Sequence, residues 1–85
     1  MSVYTELLTE MITLLEEAQE HHWEKWFKKS LEMALNGDIK ESCQQTLRAY
    51  GGMGSFNDVY WHLPSDKFKQ LEHIKEQLWH IAKDK

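Results

Sequence analysis

Residues 4–18, YTELLTEMITLLEEA, contain the repeat that decides the fold class. Apolar residues recur in this stretch every three or four positions, which is the spacing of one face of an α-helix. That face consists of Leu7, Leu8, Met11, Leu14, Leu15 and Ala18. The opposite face is acidic and consists of Glu6, Glu10, Glu17 and Glu20. The stretch therefore predicts an amphipathic helix over about residues 3–19, with a solvated acidic side.

A second helical pattern follows and stops at Asn36-Gly37, residue types that suit a helix C-terminus. Its inward positions are Trp23, Trp26, Phe27, Ser30, Leu31 and Ala34. Between the two patterns, near Gln19 to His22, the sequence has neither Pro nor Gly, so one long bent helix is the alternative to two helices. We expect a break there.

A third helix is expected directly after Gly37, because Asp38 and Glu41 have the spacing of a capping box. Gly51-Gly52 is expected to end it. Its apolar side consists of Ile39, Cys43, Leu47 and Tyr50, with Thr46 at the edge.

A fourth helix is predicted over about residues 66–83, after Pro64 and a cap at Ser65 or Asp66. Its inward positions are Phe68, Leu71, Ile74, Leu78, Trp79 and Ala82. Four helices with short connections predict an all-α fold, either a four-helix array or an irregular bundle, with a glycine-rich connection between helices 3 and 4.

Length and composition predict one domain over residues 1–85. The chain has 41% apolar and 28% charged residues, which is ordinary globular usage. Its single cysteine, Cys43, has no partner for a disulfide or a CxxC motif, which fits a reducing cytoplasm. No segment has the pattern of a signal peptide or the length of a membrane span. We therefore expect a cytoplasmic protein that does not bind membranes.

Charge is distributed unevenly along the chain. The net charge is −4, and residues 1–24 contain no Lys or Arg. Nucleic acids are usually bound by neutralising several phosphates with basic side chains. An acidic chain without a dense basic stripe therefore predicts a protein that does not bind nucleic acid.

The segment Tyr50 to Asp58, YGGMGSFND, differs in composition from the rest of the chain. Backbone N–H groups of Gly52, Gly54 and Ser55 are candidates for holding a small anion or nucleotide, because clustered glycines let a ligand approach the backbone. The segment has neither the Lys-Ser/Thr pair of a Walker loop nor the spacing of a dinucleotide-binding loop. We therefore favour a structural turn and keep anion binding as the alternative.

This segment resembles the signature of a family of small, uncharacterised, mainly bacterial helical proteins, a domain of unknown function. The resemblance extends over most of the chain, with the tryptophan-containing second helix and the Asn36-Gly37-Asp38 break in similar positions. It implies a bacterial, freestanding helical domain. No activity is established for that family, so the resemblance implies no catalytic residue.

Known catalytic and metal-binding patterns are missing from the sequence. The histidines do not have the short ligand spacings of a zinc site. Ser55, Asp58 and His62 are close in sequence, but no strand is predicted that would form a nucleophile elbow, and Cys43 falls on a buried stripe. The sequence therefore predicts a protein that is not an enzyme and that uses no metal or cofactor.

The remaining functional signal is a set of aromatic and acidic residues. We predict a protein–protein interaction domain, of the kind found in immunity proteins or antitoxins, that binds another protein or a second copy of itself. An acidic helix would attract a basic partner. The candidate surface consists of Met53, Phe56, Tyr60 and Trp61 together with Glu6, Glu10 and Glu17.

Overall fold

A computed structural model describes residues 3–50 and 63–84, and over these residues the chain forms four α-helices. They are α1 (Val3–Glu17), α2 (His21–Leu35), α3 (Ile39–Arg48) and α4 (Ser65–Asp84). Helices α1 and α3 each pack against both α2 and α4, so α1 and α3 lie diagonally across the bundle. The predicted all-α four-helix fold is confirmed. The glycine-rich connection lies within residues 51–62, outside the described part of the chain.

The predicted break between α1 and α2 is confirmed, although no glycine marks it. The N–H of Glu20 donates to the carbonyl of Leu15, and the N–H of Gln19 donates to that of Glu16. These two hydrogen bonds form a Schellman motif, which ends a helix at a residue in the left-handed conformation. Gln19 adopts that conformation, with a φ of 59°. The backbone thus reverses there without the residue that normally permits it.

The turn between α2 and α3 has the same hydrogen bonds with glycine in the left-handed position. Gly37 has a φ of 90°, and the N–H of Asp38 donates to the carbonyl of Met33. The predicted capping box is wrong in its chemistry: Asp38 occupies the position before α3, but its side chain makes no capping hydrogen bond. The Schellman motif sets the entry into α3 instead.

The core contains the apolar face that the periodicity predicted for α1 and most of the faces predicted for α2 and α4, while Trp26, Leu31 and Trp79 are only partly buried. Its largest fully buried apolar side chains are Phe27, Leu8, Met11, Leu15, Leu71 and Leu78. Phe68 was predicted to face inward, but it is 38% exposed. It lies near the start of α4, one turn before the first fully buried position, Leu71.

Helix α3 has about the three turns expected for it, but its end and its inward face differ from the prediction. It ends at Arg48 rather than at Gly51, and the N–H groups of Ala49 and Tyr50 donate to carbonyls three residues back. Ser42 and Thr46 are fully buried, whereas the predicted apolar positions Ile39, Leu47 and Tyr50 are only partly buried. Two hydroxyls therefore occupy the centre of its inward face.

These hydroxyls belong to a buried hydrogen-bond chain that joins three helices. Ser42 Oγ donates to the carbonyl of Ser30 on α2 at 2.6 Å. Tyr4 Oη of α1 lies 2.8 Å from Ser42 Oγ and 2.9 Å from Thr46 Oγ1. Because the Ser42 proton goes to the carbonyl, Ser42 accepts from Tyr4, and Tyr4 in turn accepts from Thr46. Each hydroxyl thus donates once, and the chain fixes α1 against α2 and α3.

Candidate functional site

The acidic face of α1 is on the outside of the bundle. Glu6, Glu10 and Glu17 are all exposed and lie along one side of the helix, since their spacings of four and seven residues are one and two turns. The other predicted interaction residues, Met53, Phe56, Tyr60 and Trp61, lie outside the described residues. So do Gly52, Gly54 and Ser55 of the candidate anion loop, which stays a prediction.

The carboxylates of α1 differ in their ion pairs. Lys67 Nζ on α4 lies 2.6 Å from Glu17 Oε2, and Lys28 Nζ on α2 lies 3.5 Å from Glu16 Oε1. Over residues 3–50 and 63–84, no lysine or arginine nitrogen lies within 4.0 Å of the carboxylates of Glu6 or Glu10. The negative charge that remains available to a partner is therefore at the first three turns of α1.

A groove of about 200 Å³ lies beside this acidic face, between α1 and the first two turns of α4. Lys67 crosses its end through the ion pair with Glu17. Glu10 lies on its α1 wall, so two of the three predicted acidic residues belong to one concave surface. The groove is lined by Thr9, Glu10, Thr13, Leu14, Glu17, Lys67 and Gln70.

The polar groups of this groove are mainly hydrogen-bond acceptors. The hydroxyl of Thr9 donates to the carbonyl of Thr5 at 2.9 Å, and that of Thr13 donates to the carbonyl of Thr9 at 3.1 Å. A hydroxyl has only one proton, so both oxygens have only lone pairs left. Together with the carboxylate of Glu10 on the same wall, these oxygens favour a donor-rich cation such as guanidinium or ammonium.

Gln70 and Lys67 are the donors of the groove. The Lys67 ammonium is already paired with Glu17, and the Gln70 amide can both donate and accept. The Glu17–Lys67 pair is about 40% exposed on each side, so a partner can approach it from solvent. Acceptors and negative charge thus dominate the accessible surface.

The tryptophans of α2 are used in packing. Trp23 is buried, and the indole N–H of Trp26 donates to the carbonyl of Gln45 on α3 at 2.8 Å. The two rings meet edge to face with centroids 5.6 Å apart, and His22 contacts Trp23 in the same way at 4.8 Å. The hydrogen bond of Trp26 holds α2 on α3, and the buried Trp23 leaves little ring surface for a partner.

The described helices contain neither a metal-ligand cluster nor a membrane-spanning segment. Residues 3–50 and 63–84 contain no group of three or more His, Cys, Asp and Glu side chains arranged to hold a metal ion. His21, His22, His73 and His80 are exposed, and Cys43 is buried. His62, Ser55 and Asp58 lie outside these residues. None of the four helices is long and apolar enough to cross a bilayer.

Of the residues that line the groove, only Glu10 and Glu17 were predicted from the sequence as interaction residues. Thr9 and Thr13 follow Thr5 at intervals of four residues, which is the spacing at which a helical threonine donates to a carbonyl one turn earlier. That signal was present in the sequence. The position of Lys67 opposite Glu17 could not be predicted from the sequence, because it depends on how α4 packs against α1.

Comparison with known families supports the predicted resemblance in its coarser form. The sequence model of DUF6966, described as a domain of unknown function, matches residues 16–68, more than half of the chain. Glu17 and Lys67, which pair across the groove, lie just inside the two ends of this match. Comparisons with curated proteins and with solved structures gave no significant match. The chain belongs to the DUF6966 family of domains of unknown function.

Proposed function

We propose that this chain is a non-enzymatic protein-binding domain that receives a basic side chain of its partner in the groove between α1 and α4. One observation carries the proposal: most accessible polar groups of the groove are acceptors, because the Thr9 and Thr13 hydroxyl protons are already used, and they lie beside the carboxylate of Glu10, which has no ion pair among the described residues. An arginine side chain presents five donors and a positive charge to such a wall.

The size of the groove agrees with one side chain rather than with a larger ligand. Its volume of about 200 Å³ is below the range of roughly 300–1,000 Å³ that is usual for small-molecule sites. The exposed Glu6 extends the negative surface one turn beyond Glu10. A basic segment that follows α1 would therefore meet one anchoring groove and one additional charge.

The test is a pair of short peptides that differ only in charge. Acetyl-Gly-Arg-Gly-amide and its citrulline counterpart have nearly the same shape, but citrulline is neutral. We expect the arginine peptide to shift the backbone amide NMR signals of Thr9, Thr13 and Gln70 saturably. Glu10→Gln should weaken this binding about 1.4- to five-fold, because exposed charge pairs contribute about 0.2–1 kcal/mol.

Glu41→Gln on the exposed side of α3 is the matched control, since it removes the same charge away from the groove. Equal shifts with the citrulline peptide would show that charge is not recognised. Equal weakening by Glu41→Gln and Glu10→Gln would show that only the net charge of the protein matters. Either result removes the groove as the binding site.

The proposal includes a specific biological role: a bacterial, cytoplasmic protein that neutralises a basic toxin, as immunity proteins and antitoxins do. The acidic surface supports it because opposite charge accelerates the encounter with a basic partner. Co-expression with the product of the adjacent gene tests this role. Absence of growth protection would contradict this role, and protection that survives combined reversal of Glu6, Glu10 and Glu17 to Lys would contradict its assignment to the acidic surface.

A further inference from the structure

A second, larger cavity lies on the opposite flank of α4, where this helix meets the end of α3. Its volume is about 480 Å³, which is within the usual range for small-molecule sites. It is lined by Tyr50, Glu72, His73, Lys75, Glu76 and Trp79. The groove between α1 and α4 shares none of these residues. An inference about this cavity is therefore independent of the proposed function.

The floor of the cavity is held in position by Tyr50. Its hydroxyl donates to the carbonyl of Lys75 at 2.6 Å, which ties the end of α3 to the middle of α4. Burial, the neighbouring Tyr4 and the carboxylate of Glu72 raise the pKa of Tyr50 well above its usual value. The ring therefore presents a neutral, largely apolar surface to the cavity.

The α4 wall combines negative charge with an aromatic ring. Glu72, Glu76 and Trp79 follow one another at four and three residues, so they form one stripe along the helix. Lys75 Nζ is 3.3 Å from Glu72 Oε2 and offsets that charge. Glu76 is 73% exposed, and its nearest ion-pair contact is His80 Nε2 at 4.0 Å. Its carboxylate thus remains available beside the indole.

The indole of Trp79 already attracts a cation within this protein. Lys83 Nζ lies 4.5 Å from the centroid of the ring, which is the geometry of a cation–π contact. Lys83 does not line the cavity. The contact shows that the electron-rich indole is positioned to attract positive charge at this end of α4.

We propose that this cavity binds a small organic ammonium group between the carboxylate of Glu76 and the ring of Trp79, over the floor formed by Tyr50. An ammonium group that carries alkyl substituents suits these walls, because its charge meets Glu76 and the indole while its carbon atoms contact apolar surface. Glu72, His73 and Lys75 are the other titratable side chains of α4 that line the cavity, and His80 and Lys83 lie beside Glu76 and the indole. The ammonium of Lys75 is engaged by Glu72, which limits its repulsion.

The experiment compares choline with 3,3-dimethyl-1-butanol, the neutral molecule of the same shape, at pH 8, where histidine side chains are ordinarily uncharged. The four tryptophans give four indole N–H signals in a ¹⁵N NMR spectrum, and Trp79→Phe identifies the signal of Trp79. We expect choline to shift that signal saturably and the alcohol to leave it in place. Nα-Acetyl-lysine methylamide, whose side-chain ammonium is free, is the second ligand and tests whether the ammonium can come from a peptide.

Three variants test the positions of the charges. Glu76→Gln should weaken choline binding at least about three-fold, whereas Glu32→Gln, on the exposed side of α2, should leave it unchanged. Lys83→Gln should strengthen binding about two-fold, because it removes a like charge next to the ring. Glu76 and Lys83 are surface side chains on α4, so their substitution leaves the core intact.

Saturable binding of either ammonium compound, without binding of the alcohol, supports the proposal, and the tighter of the two identifies the source of the ligand. Equal binding of the alcohol would show a purely apolar cavity. Absence of saturation by about 50 mM, beyond the millimolar range of weak ligands, would overturn the proposal, as would equal effects of Glu76→Gln and Glu32→Gln. These readouts follow Trp79, so they are separate from the Thr9 and Thr13 signals that test the groove.

Discussion

Replacement of Tyr4 by Phe tests whether the buried hydroxyl chain holds the bundle together. The substitution keeps the ring in the core and removes one oxygen. Thr46 then has no acceptor for its proton, and Ser42 loses the donor to its oxygen but still donates to the Ser30 carbonyl. The substitution thus leaves the buried Thr46 hydroxyl without an acceptor and the Ser42 oxygen without a donor.

The expected loss in the free energy of unfolding follows from these two changes. A net hydrogen bond contributes about 0.5–1.5 kcal/mol, and a buried unsatisfied donor costs about 1–3 kcal/mol. We expect Tyr4→Phe to lower the free energy of unfolding by about 2 kcal/mol. For a domain of this size each kcal/mol shifts Tm by about 4–8 °C, so Tm should fall by about 10 °C.

Urea unfolding followed by circular dichroism at pH 7 measures this change, and a double-mutant cycle with Thr46→Val isolates the hydrogen bond. Once Tyr4 is Phe, removal of the orphaned Thr46 hydroxyl should cost nothing further. The double variant should therefore lose about 1 kcal/mol less than the sum of the single variants. Additive losses would mean that Thr46 bonds elsewhere, and a loss below about 0.5 kcal/mol for Tyr4→Phe would refute the chain as a stabilising element.

Three further changes are expected to alter stability, each measurable by the same urea titration. Ser30→Ala should raise the free energy of unfolding by about 1 kcal/mol, because Ser30 Oγ is buried without a hydrogen-bond partner among the described residues; a loss of stability would contradict this. Gly37→Gln should lower the free energy of unfolding by about 1–2 kcal/mol through its left-handed φ alone, since a Cβ there would meet nothing within 4 Å. Gln19→Gly should raise the free energy of unfolding by a smaller amount, and changes of the same sign in both variants would exclude a conformational cause. Burial raises the pKa of Tyr50, so its neutral form stabilises the fold fully below about pH 10 and loses this effect at higher pH; Tyr50→Phe should flatten the fall in stability between about pH 10 and 12, and an unchanged slope would show that Tyr50 is not responsible.

Helix positions were readable from the sequence because large apolar residues recur at helical spacing, as Leu8, Met11 and Leu15 do. The inward face of α3 could not be predicted from the sequence, because its centre consists of Ser42 and Thr46. A hydroxyl has the same appearance in sequence whether it is solvated or bonded inside the core. Its burial here depends on Tyr4, which lies 38 positions earlier in the chain than Ser42.

The two turns that join α1 to α2 and α2 to α3 show a similar limit of prediction from sequence. Asn36-Gly37 predicted the end of α2, since glycine is the usual residue for a left-handed helix end. Gln19 ends α1 with the same hydrogen bonds and no such signal. The break was expected from the change in apolar pattern, but its geometry was set by packing, because α2 must turn back to cover α1. The pairing of Glu17 with Lys67 could not be predicted for the same reason.

The glutamates of α1 can now be distinguished by what each does for the helix. Glu6 is in the first turn, where the positive end of the helix dipole favours a carboxylate. Glu16 and Glu17 are in the last turn, where the dipole disfavours them, and Lys28 and Lys67 offset this. Glu10 is in the middle of α1, without a basic partner among the described side chains and beyond the reach of either helix end. Folding alone gives no reason for its charge, which makes Glu10 the residue of the acidic face whose substitution separates binding from stability.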